Sequence, residues 1–424
     1  MTATTGTPPR LRHVAAIVSG NALEFYDFLT FSYFASYIGD AFFPSDDPMT
    51  RLLASLATFG IGFSTRPIGA VIIGGWGDAR GRKPATMLCF ALMGISILGL
   101  ALTPGYASIG MAAPIIVVSL RLIQGFALGG EVGPTTAILI EAAPAGRRGL
   151  YGSLQGASQF ASTFFAGLIG YVLTRTLSPD HFAHYGWRIA MLIGTLVVPF
   201  GLLLMRDLPE TIRVPDAGEP DRTTLLRSNT RVMILGLALL ASATIGVYVL
   251  LFIPTYAMKI LGMPAQSTFG ATMLIGGAAA IAAPFAGLAS DRFGRKPVMF
   301  VLALLTTVLI VPSFLLLAHE RTAAVLFAVA GALAALHASG GSVAIMAIPE
   351  ALPPAVRSGA NATVYAVAIA VFGGSAQFNI AWLIKHTGDV LAPAYYWSAA
   401  MAVGLIAIAL FRESAPGKTG GPLP

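Results

Sequence analysis

Twelve apolar stretches recur along this 424-residue chain, and they constrain its fold more than any other feature. An apolar stretch of about 20 residues crosses the hydrocarbon core of a bilayer as an α-helix. Helices suit lipid because they satisfy their backbone hydrogen bonds internally. The sequence therefore predicts an all-α membrane protein with twelve transmembrane helices, at residues 12–40, 51–76, 84–104, 108–137, 149–173, 186–206, 229–258, 266–288, 297–317, 321–348, 357–384 and 390–411.

Charged residues are few, and the loops divide them unevenly. Only 11% of residues are charged, whereas soluble domains average about 25%. If the N-terminus is cytoplasmic, that side carries 18 of the 26 Lys and Arg residues and the other side carries 6. The positive-inside rule then predicts a multi-pass protein with both termini cytoplasmic. The net charge of +7 follows from topology, so nucleic-acid binding is excluded.

One loop motif occurs twice. Gly-Asp-Ala-Arg-Gly-Arg-Lys-Pro at 77–84 follows the second stretch, and Ser-Asp-Arg-Phe-Gly-Arg-Lys-Pro at 290–297 follows the eighth, 213 residues later. This repeat predicts two parallel six-helix halves. The expected division is an N-terminal bundle at 1–206, a cytoplasmic linker at 207–227 and a C-terminal bundle with a short cytoplasmic tail at 228–424.

These loops, with Gly20–Phe28, Arg66–Gly69, Arg121–Phe126 and Gly186–Ile189, resemble the major facilitator superfamily. Within it the chain is similar to metabolite:proton symporters, and most to citrate and tricarballylate symporters. The resemblance implies two pseudo-symmetric six-helix bundles that rock about a central site. It also implies a cytoplasmic gate of ion pairs formed by Asp78, Arg82, Asp291 and Arg295. Ala79 stands where the second motif has Arg292, which leaves one gate ion pair in doubt there.

Two arginines, Arg66 and Arg121, lie within apolar stretches. A charge at bilayer depth is costly, so such residues are candidates for function. Two guanidinium groups can each form a bidentate pair with one carboxylate of a multiply charged anion, which makes both substrate-binding candidates. The alternative is that they form structural salt bridges with Glu24, Asp27 or Glu131.

Three carboxylates are candidates for proton coupling. Glu24 and Asp27 are spaced i, i+3 and share a helix face with Asn21. Burial and a like-charged neighbour raise a carboxyl pKa, which would let one of these groups carry a proton. Glu131, seven residues after Gln124, is the third candidate; static pairing with the arginines is the alternative for all three.

Several polar residues within the apolar stretches are further substrate-binding candidates. Gln155, Ser158, Gln159 and Ser162 form a polar stripe, whose alternative role is interhelical contact. His337 has packing as its alternative. The remaining members of the predicted substrate-binding set are Asn21, Tyr26, Gln124, Tyr248, Asn361 and Tyr365.

The residues and the resemblance together predict a proton-coupled transporter in a bacterial inner (cell) membrane that takes up a tricarboxylate such as citrate by alternating access. Its expected partners are the carboxylate, protons and the lipid bilayer, and a monomer is expected. No cofactor, metal site or enzymatic constellation is predicted, and Cys89 is the only cysteine. Alternatives are another substrate (a dicarboxylate, keto acid, shikimate or betaine), a non-transporting membrane receptor, and a multidrug exporter.

Overall fold

The computed structural model describes residues 11–80, 82–129, 146–196 and 227–415, with the isolated residues 143, 144, 199 and 418. Within those ranges every regular element is helical. At some helical positions only the backbone is described, among them the predicted coupling residues Glu24 and Asp27 and the predicted gate residues Asp78 and Arg82.

The helices occur in the order of the twelve predicted spans. The bounds are: span 1, Leu11–Tyr33 and Ala35–Phe42; span 2, Pro48–Ile61 and Arg66–Arg80; span 3, Arg82–Leu102; span 4, Ala112–Gly129; span 5, Arg148–Thr176; span 6, Trp187–Gly194; span 7, Thr230–Lys259; span 8, Ala265–Phe293; span 9, Arg295–Glu320; span 10, Ala323–Glu350; span 11, Pro354–Val367, Ala368–Gly373 and Gly374–Thr387; span 12, Ala392–Leu410.

In the described part of the chain, nine helices are long and apolar enough to cross a membrane. Span 9 has a mean hydropathy of 2.6, and it leaves large apolar side chains such as Val301 and Val308 exposed. A surface of this kind suits lipid rather than water. The chain is therefore a multi-pass integral membrane protein.

The spans form two six-helix bundles, each packed around its own apolar core. One core draws mainly on spans 1–6 and the other mainly on spans 7–12. Between the bundles, glycines allow helices to touch backbone to backbone. A Cβ on Gly276 of span 8 would overlap the backbone nitrogen of Phe164 in span 5, and a Cβ on Gly60 of span 2 would overlap the carbonyl oxygen of Gly374 in span 11. Spans 5 with 8 and 2 with 11 thus form a large part of the interface between the bundles.

The ends of the spans that carry the repeated loops 77–84 and 290–297 are called here the motif side, and the other ends the opposite side. On the motif side, Arg295 is almost fully buried. Its Nε and one terminal nitrogen donate to both carboxylate oxygens of Glu350 at 2.9 Å, and the other terminal nitrogen donates to Asp291 at 2.9 Å and Ser290 at 2.6 Å. The guanidinium is thus neutralised and held in place by its neighbours.

Asp291 also joins the two bundles. Its carboxylate accepts hydrogen bonds from the backbone N–H groups of Gly149 at 2.8 Å and Leu150 at 3.1 Å, at the start of span 5. The first N–H groups of a helix have no partner within the helix and lie at its positive end, so a carboxylate is favoured there.

Glu413, just beyond span 12, caps span 9 in the same way. Its carboxylate accepts hydrogen bonds from the backbone N–H groups of Arg295 at 2.8 Å and Lys296 at 3.0 Å, and from those of Ser414 and Ala415. Although burial alone would raise it, these hydrogen bonds hold the pKa of Glu413 below its ordinary value.

Candidate substrate site

Arg66 and Arg121, the two arginines predicted to bind substrate, lie against one cluster of aromatic rings. Both are buried, with 8% and 2% of their surface exposed. The guanidinium carbon of Arg66 is 5.0 Å from the ring centre of Phe28 and 4.5 Å from that of Phe63. That of Arg121 is 5.2 Å from Phe28 and 4.3 Å from Phe31. Since both stand next to Phe28, the two cations share one site.

A break in span 2 positions Arg66. The helix Pro48–Ile61 ends in a glycine-containing turn, and a new helix begins at Arg66, directly before Pro67. Proline suits the first turn of a helix, where its missing N–H removes no helical hydrogen bond. Thr65 fixes the turn to span 4 by donating to the carbonyl oxygen of Leu122 at 2.7 Å.

Glycines bring span 2 against span 4, which carries Arg121. A Cβ on Gly125 would overlap the carbonyl oxygen of Gly62, and one on Gly129 would overlap that of Arg66. Small residues let membrane helices approach this closely. The glycine positions therefore place the two arginines on touching helices.

The second bundle reaches the same cluster through Tyr248 of span 7. Its ring centre lies 5.8 Å from that of Phe63 and 6.0 Å from that of Phe59, both edge-to-face. Gly373 in the π-helical segment of span 11 makes room, because a Cβ there would lie 2.7 Å from the Tyr248 ring. The cluster of Phe28, Phe31, Phe59, Phe63 and Tyr248, called here the aromatic cluster, therefore stands at the boundary between the bundles.

A buried polar bridge lies beside the aromatic cluster. Gln377 of span 11 donates to the hydroxyl of Ser32 in span 1 at 2.8 Å and accepts from that hydroxyl at 3.0 Å. Its amide also lies 3.4 Å from the carbonyl oxygen of Tyr248. Ser32 and Gln377 are 1% exposed, so the contact is shielded from water.

The polar stripe of span 5 faces span 1. Asn21 donates to the Ser158 hydroxyl at 2.7 Å and to the Gln155 carbonyl oxygen at 3.2 Å. Ser162 donates to the carbonyl oxygen of Ala22. These are interhelical contacts of the kind expected as the alternative for the stripe, while Gln159 remains partly exposed.

Two further candidates of the first bundle have local partners. The Oε1 atom of Gln124 accepts a hydrogen bond from Arg121, one helical turn away. Tyr26 donates through its hydroxyl to the carbonyl oxygen of Ala190 in span 6 at 3.0 Å. Gln124 thus belongs to the arginine site, whereas Tyr26 joins span 1 to span 6.

In the second bundle, His337 of span 10 packs against spans 7 and 12. Its Nε2 lies 2.8 Å from the carbonyl oxygen of Ala243, and its ring stands edge-on to Trp397 at 5.3 Å. A small, mostly apolar cavity adjoins it. Asn361 and Tyr365 are partly buried, one turn apart on span 11.

The structure describes the predicted coupling residues only in part. Glu24 and Asp27 occupy the helix Leu11–Tyr33, one turn before Phe28 and Phe31 respectively. Glu131 lies outside the described residues. Within the described chain, no group of three or more His, Cys, Asp or Glu side chains could hold a metal ion.

Sequence reasoning missed the phenylalanines and Gln377. The spacing of Phe28 with Phe31 and of Phe59 with Phe63 indicates one helix face in each case, but a phenylalanine in a membrane helix is most often lipid-facing or core. Gln377 was the clearer signal, because it is a polar residue within an apolar stretch.

Comparison with known proteins assigns the family. The family model described as Major Facilitator Superfamily matches residues 17–283, and the model described as Sugar (and other) transporter matches residues 218–414. A citrate-proton symporter of Klebsiella pneumoniae is 34% identical over 96% of this chain and 93% of its own length. The chain belongs to the major facilitator superfamily.

Two further transporters are similar as well. A putative proline/betaine transporter of Staphylococcus aureus is 30% identical over 96% of this chain and 89% of its own length. The solved structure of a proton:xylose symporter bound to 6-bromo-6-deoxy-D-glucose superimposes with a TM-score of 0.77 at 18% identity, over 94% of each chain. These findings confirm the family and fold predicted from the sequence motifs, and the chain is a transporter rather than an enzyme.

The second of the two major facilitator motifs is fully described. Asp291 and Arg295 form an ion pair at 2.9 Å, joined by Glu350, which the sequence had not assigned to the gate. Arg292 is exposed and forms no ion pair with any described residue; it stacks on Phe293 at 5.5 Å. Ala79 of the first motif corresponds to Arg292 of the second, which forms no ion pair within the described residues.

Proposed function

We propose that this chain is a proton-coupled symporter that takes up a tricarboxylate such as citrate, with Arg66 and Arg121 as its substrate-binding cations. The observation that carries the proposal is the pair of buried guanidiniums on one aromatic cluster at the bundle boundary. The Nε of Arg66 is buried and has no hydrogen-bond partner within the described residues. A substrate carboxylate offsets the cost of burying such a cation and supplies the acceptors it lacks.

The charge of the site favours an anion over the other substrates of similar proteins. A neutral sugar offers no charge to compensate the buried guanidinium of Arg66. A betaine offers one carboxylate, but its quaternary ammonium is repelled by the guanidiniums that already stack on the aromatic rings. Aromatic faces do attract quaternary ammonium groups, and the proline/betaine relatives make betaine the second candidate.

Proton coupling is assigned to Glu24, Asp27 or Glu131. An ionised carboxylate near the arginines competes with substrate for them, and protonation releases them. Binding of the anion and of the proton are then linked: protonation raises the affinity for substrate, and substrate raises the affinity for the proton by the same factor. The citrate-proton symporters similar to this chain support proton coupling as such.

The proposed setting is the inner membrane of a bacterium, with the motif side and both termini in the cytoplasm and the protein acting as a monomer. The distribution of Lys and Arg supports the orientation. The division into 1–206, 207–227 and 228–424 also stays a proposal, because residues 201–226 lie outside the described chain.

The test is uptake of labelled citrate by purified protein in liposomes with an alkaline interior and no sodium. We expect accumulation that a protonophore abolishes, that unlabelled tricarballylate inhibits strongly, and that betaine and xylose leave unchanged. Accumulation of labelled betaine but not citrate would favour the second candidate. Accumulation of neither would contradict both.

A further inference from the structure

A pair of charged contacts joins the two bundles on the opposite side. The ammonium nitrogen of Lys385, in the last turn of span 11, lies 2.6 Å from an Asp47 carboxylate oxygen and 2.7 Å from the Thr50 hydroxyl. Asp47 also caps the start of span 2 by accepting from the backbone N–H of Met49 at 3.0 Å. The cap fixes the carboxylate, so the ion pair ties the end of span 2 to the end of span 11.

The second contact joins span 1 to span 7. Lys259, the last residue of span 7, lies 3.6 Å from a carboxylate oxygen of Asp40 near the end of span 1. Arg51 holds the other oxygen of that carboxylate at 2.7 Å and donates to the Ser45 carbonyl oxygen at 2.9 Å. Both carboxylates therefore come from the first bundle and both lysines from the second.

The boundary between the two bundles is also closed deeper in the protein, between these contacts and the aromatic cluster. The backbones of Gly60 and Gly374 touch, and the buried bridge between Ser32 and Gln377 lies deeper, beside the aromatic cluster. Each of these contacts joins one bundle to the other. If the bundles separate on the opposite side, all of them must lengthen together.

We propose that Asp47–Lys385 and Asp40–Lys259 form a latch that holds the transporter closed on the opposite side and slows the opening of the substrate site there. Hydrogen bonds from Lys385, Thr50 and the Met49 amide hold the pKa of Asp47 well below its usual range, so its charge persists at physiological pH. The side chains are about one-third to one-half exposed, so each ion pair stabilises the closed state only modestly.

The latch goes beyond the proposed substrate, and its test needs no substrate. In a Cys89→Ser background, Ala376→Cys places a single thiol in span 11 at a position that is fully buried in the same apolar cluster as Phe59 and Phe63. A membrane-impermeant maleimide is applied to intact cells and, separately, to inverted vesicles. The labelling rate from the opposite side reports how often that side opens.

We expect Lys385→Gln or Lys259→Gln to increase that rate by up to about fivefold each, which corresponds to the upper range of an exposed ion pair. The double variant should label faster than either, and labelling from the motif side should not increase. A folding defect would instead increase labelling from both sides, which separates it from the loss of the latch.

Arg321→Gln is the matched control. Arg321 is a cation on the same side, exposed at the end of span 9, and it forms no ion pair with a described residue. Unchanged labelling in both lysine variants would overturn the latch, and so would an equal increase in the Arg321 variant. Neither result depends on whether citrate is transported.

Discussion

Two buried arginines in different parts of the molecule have opposite surroundings. Arg295, on the motif side, forms a bidentate pair with Glu350, a second pair with Asp291 and a hydrogen bond with Ser290. Arg66, between the bundles, lies against Phe28 and Phe63, and its Nε has no hydrogen-bond partner within the described chain. The first arginine is saturated by its own protein, whereas the second retains capacity for a ligand. On the proposed function, this difference is the one between a structural cation and a substrate-binding cation.

Breaking the saturated site should give the largest change in stability. Glu350→Ala leaves the Arg295 charge short of its main partner, and we expect a loss of about 3–5 kcal/mol in the free energy of unfolding, as for other broken buried pairs. Thermal unfolding in detergent measures it. Arg292→Ala, the exposed control in the same loop, should change stability by less than about 0.5 kcal/mol. Equal effects of the two substitutions would mean that the network contributes no special stability.

Changing the site of Arg66 and Arg121 should instead affect binding. Arg66→Lys and Arg121→Lys keep the charge but lose the planar fork. Because a hydrogen bond to a charged group is worth about 1.5–3 kcal/mol, we expect each variant to bind citrate about 10- to 100-fold more weakly. Calorimetry on purified protein measures the affinity, and Arg175→Lys at the end of span 5 is the control. Normal binding by both variants would make these arginines structural, like Arg295.

The carboxylates of span 1 provide a further test of the arginine site. They are proposed to pair with the arginines only when ionised. We expect Glu24→Gln or Asp27→Asn to retain citrate binding and citrate exchange while losing accumulation driven by a pH gradient. Exchange and net uptake are measured in the same liposomes. If both variants still concentrate citrate, the coupling carboxylate lies elsewhere, and Glu131 is the next to test.

The smallest effect is expected at Glu413, which supports the saturated arginine through the backbone. Glu413→Ala removes the acceptor from the start of span 9, and a lost helix cap costs roughly 0.5–2 kcal/mol of stability. Because the folded-state pKa of Glu413 is lowered, its contribution is present above the ordinary glutamate pKa and is lost as the pH falls through the folded-state value. The stability difference between wild type and variant should therefore shrink on acidification; a difference that grows would contradict the capping role.

The fold could be predicted from the sequence more completely than the residues of the candidate site. Apolar length and the repeated loops predict twelve spans in two bundles because both reflect local chemistry. The bridge between Ser32 and Gln377 joins residues 345 positions apart, and nothing in either neighbourhood indicates the other. The rings around Arg66 and Arg121 were missed for a related reason. A phenylalanine that faces lipid and one that faces a guanidinium occur in the same apolar pattern.

The central claim is that the arginine site binds a carboxylate together with a proton. Its most direct test is the internal pH of liposomes containing the purified protein when citrate is added outside with no pH gradient imposed. We expect the interior to acidify with the wild type and to stay constant with the Arg66→Lys, Arg121→Lys double variant. Acidification of equal extent in both, or none in the wild type while labelled citrate enters, would contradict the account.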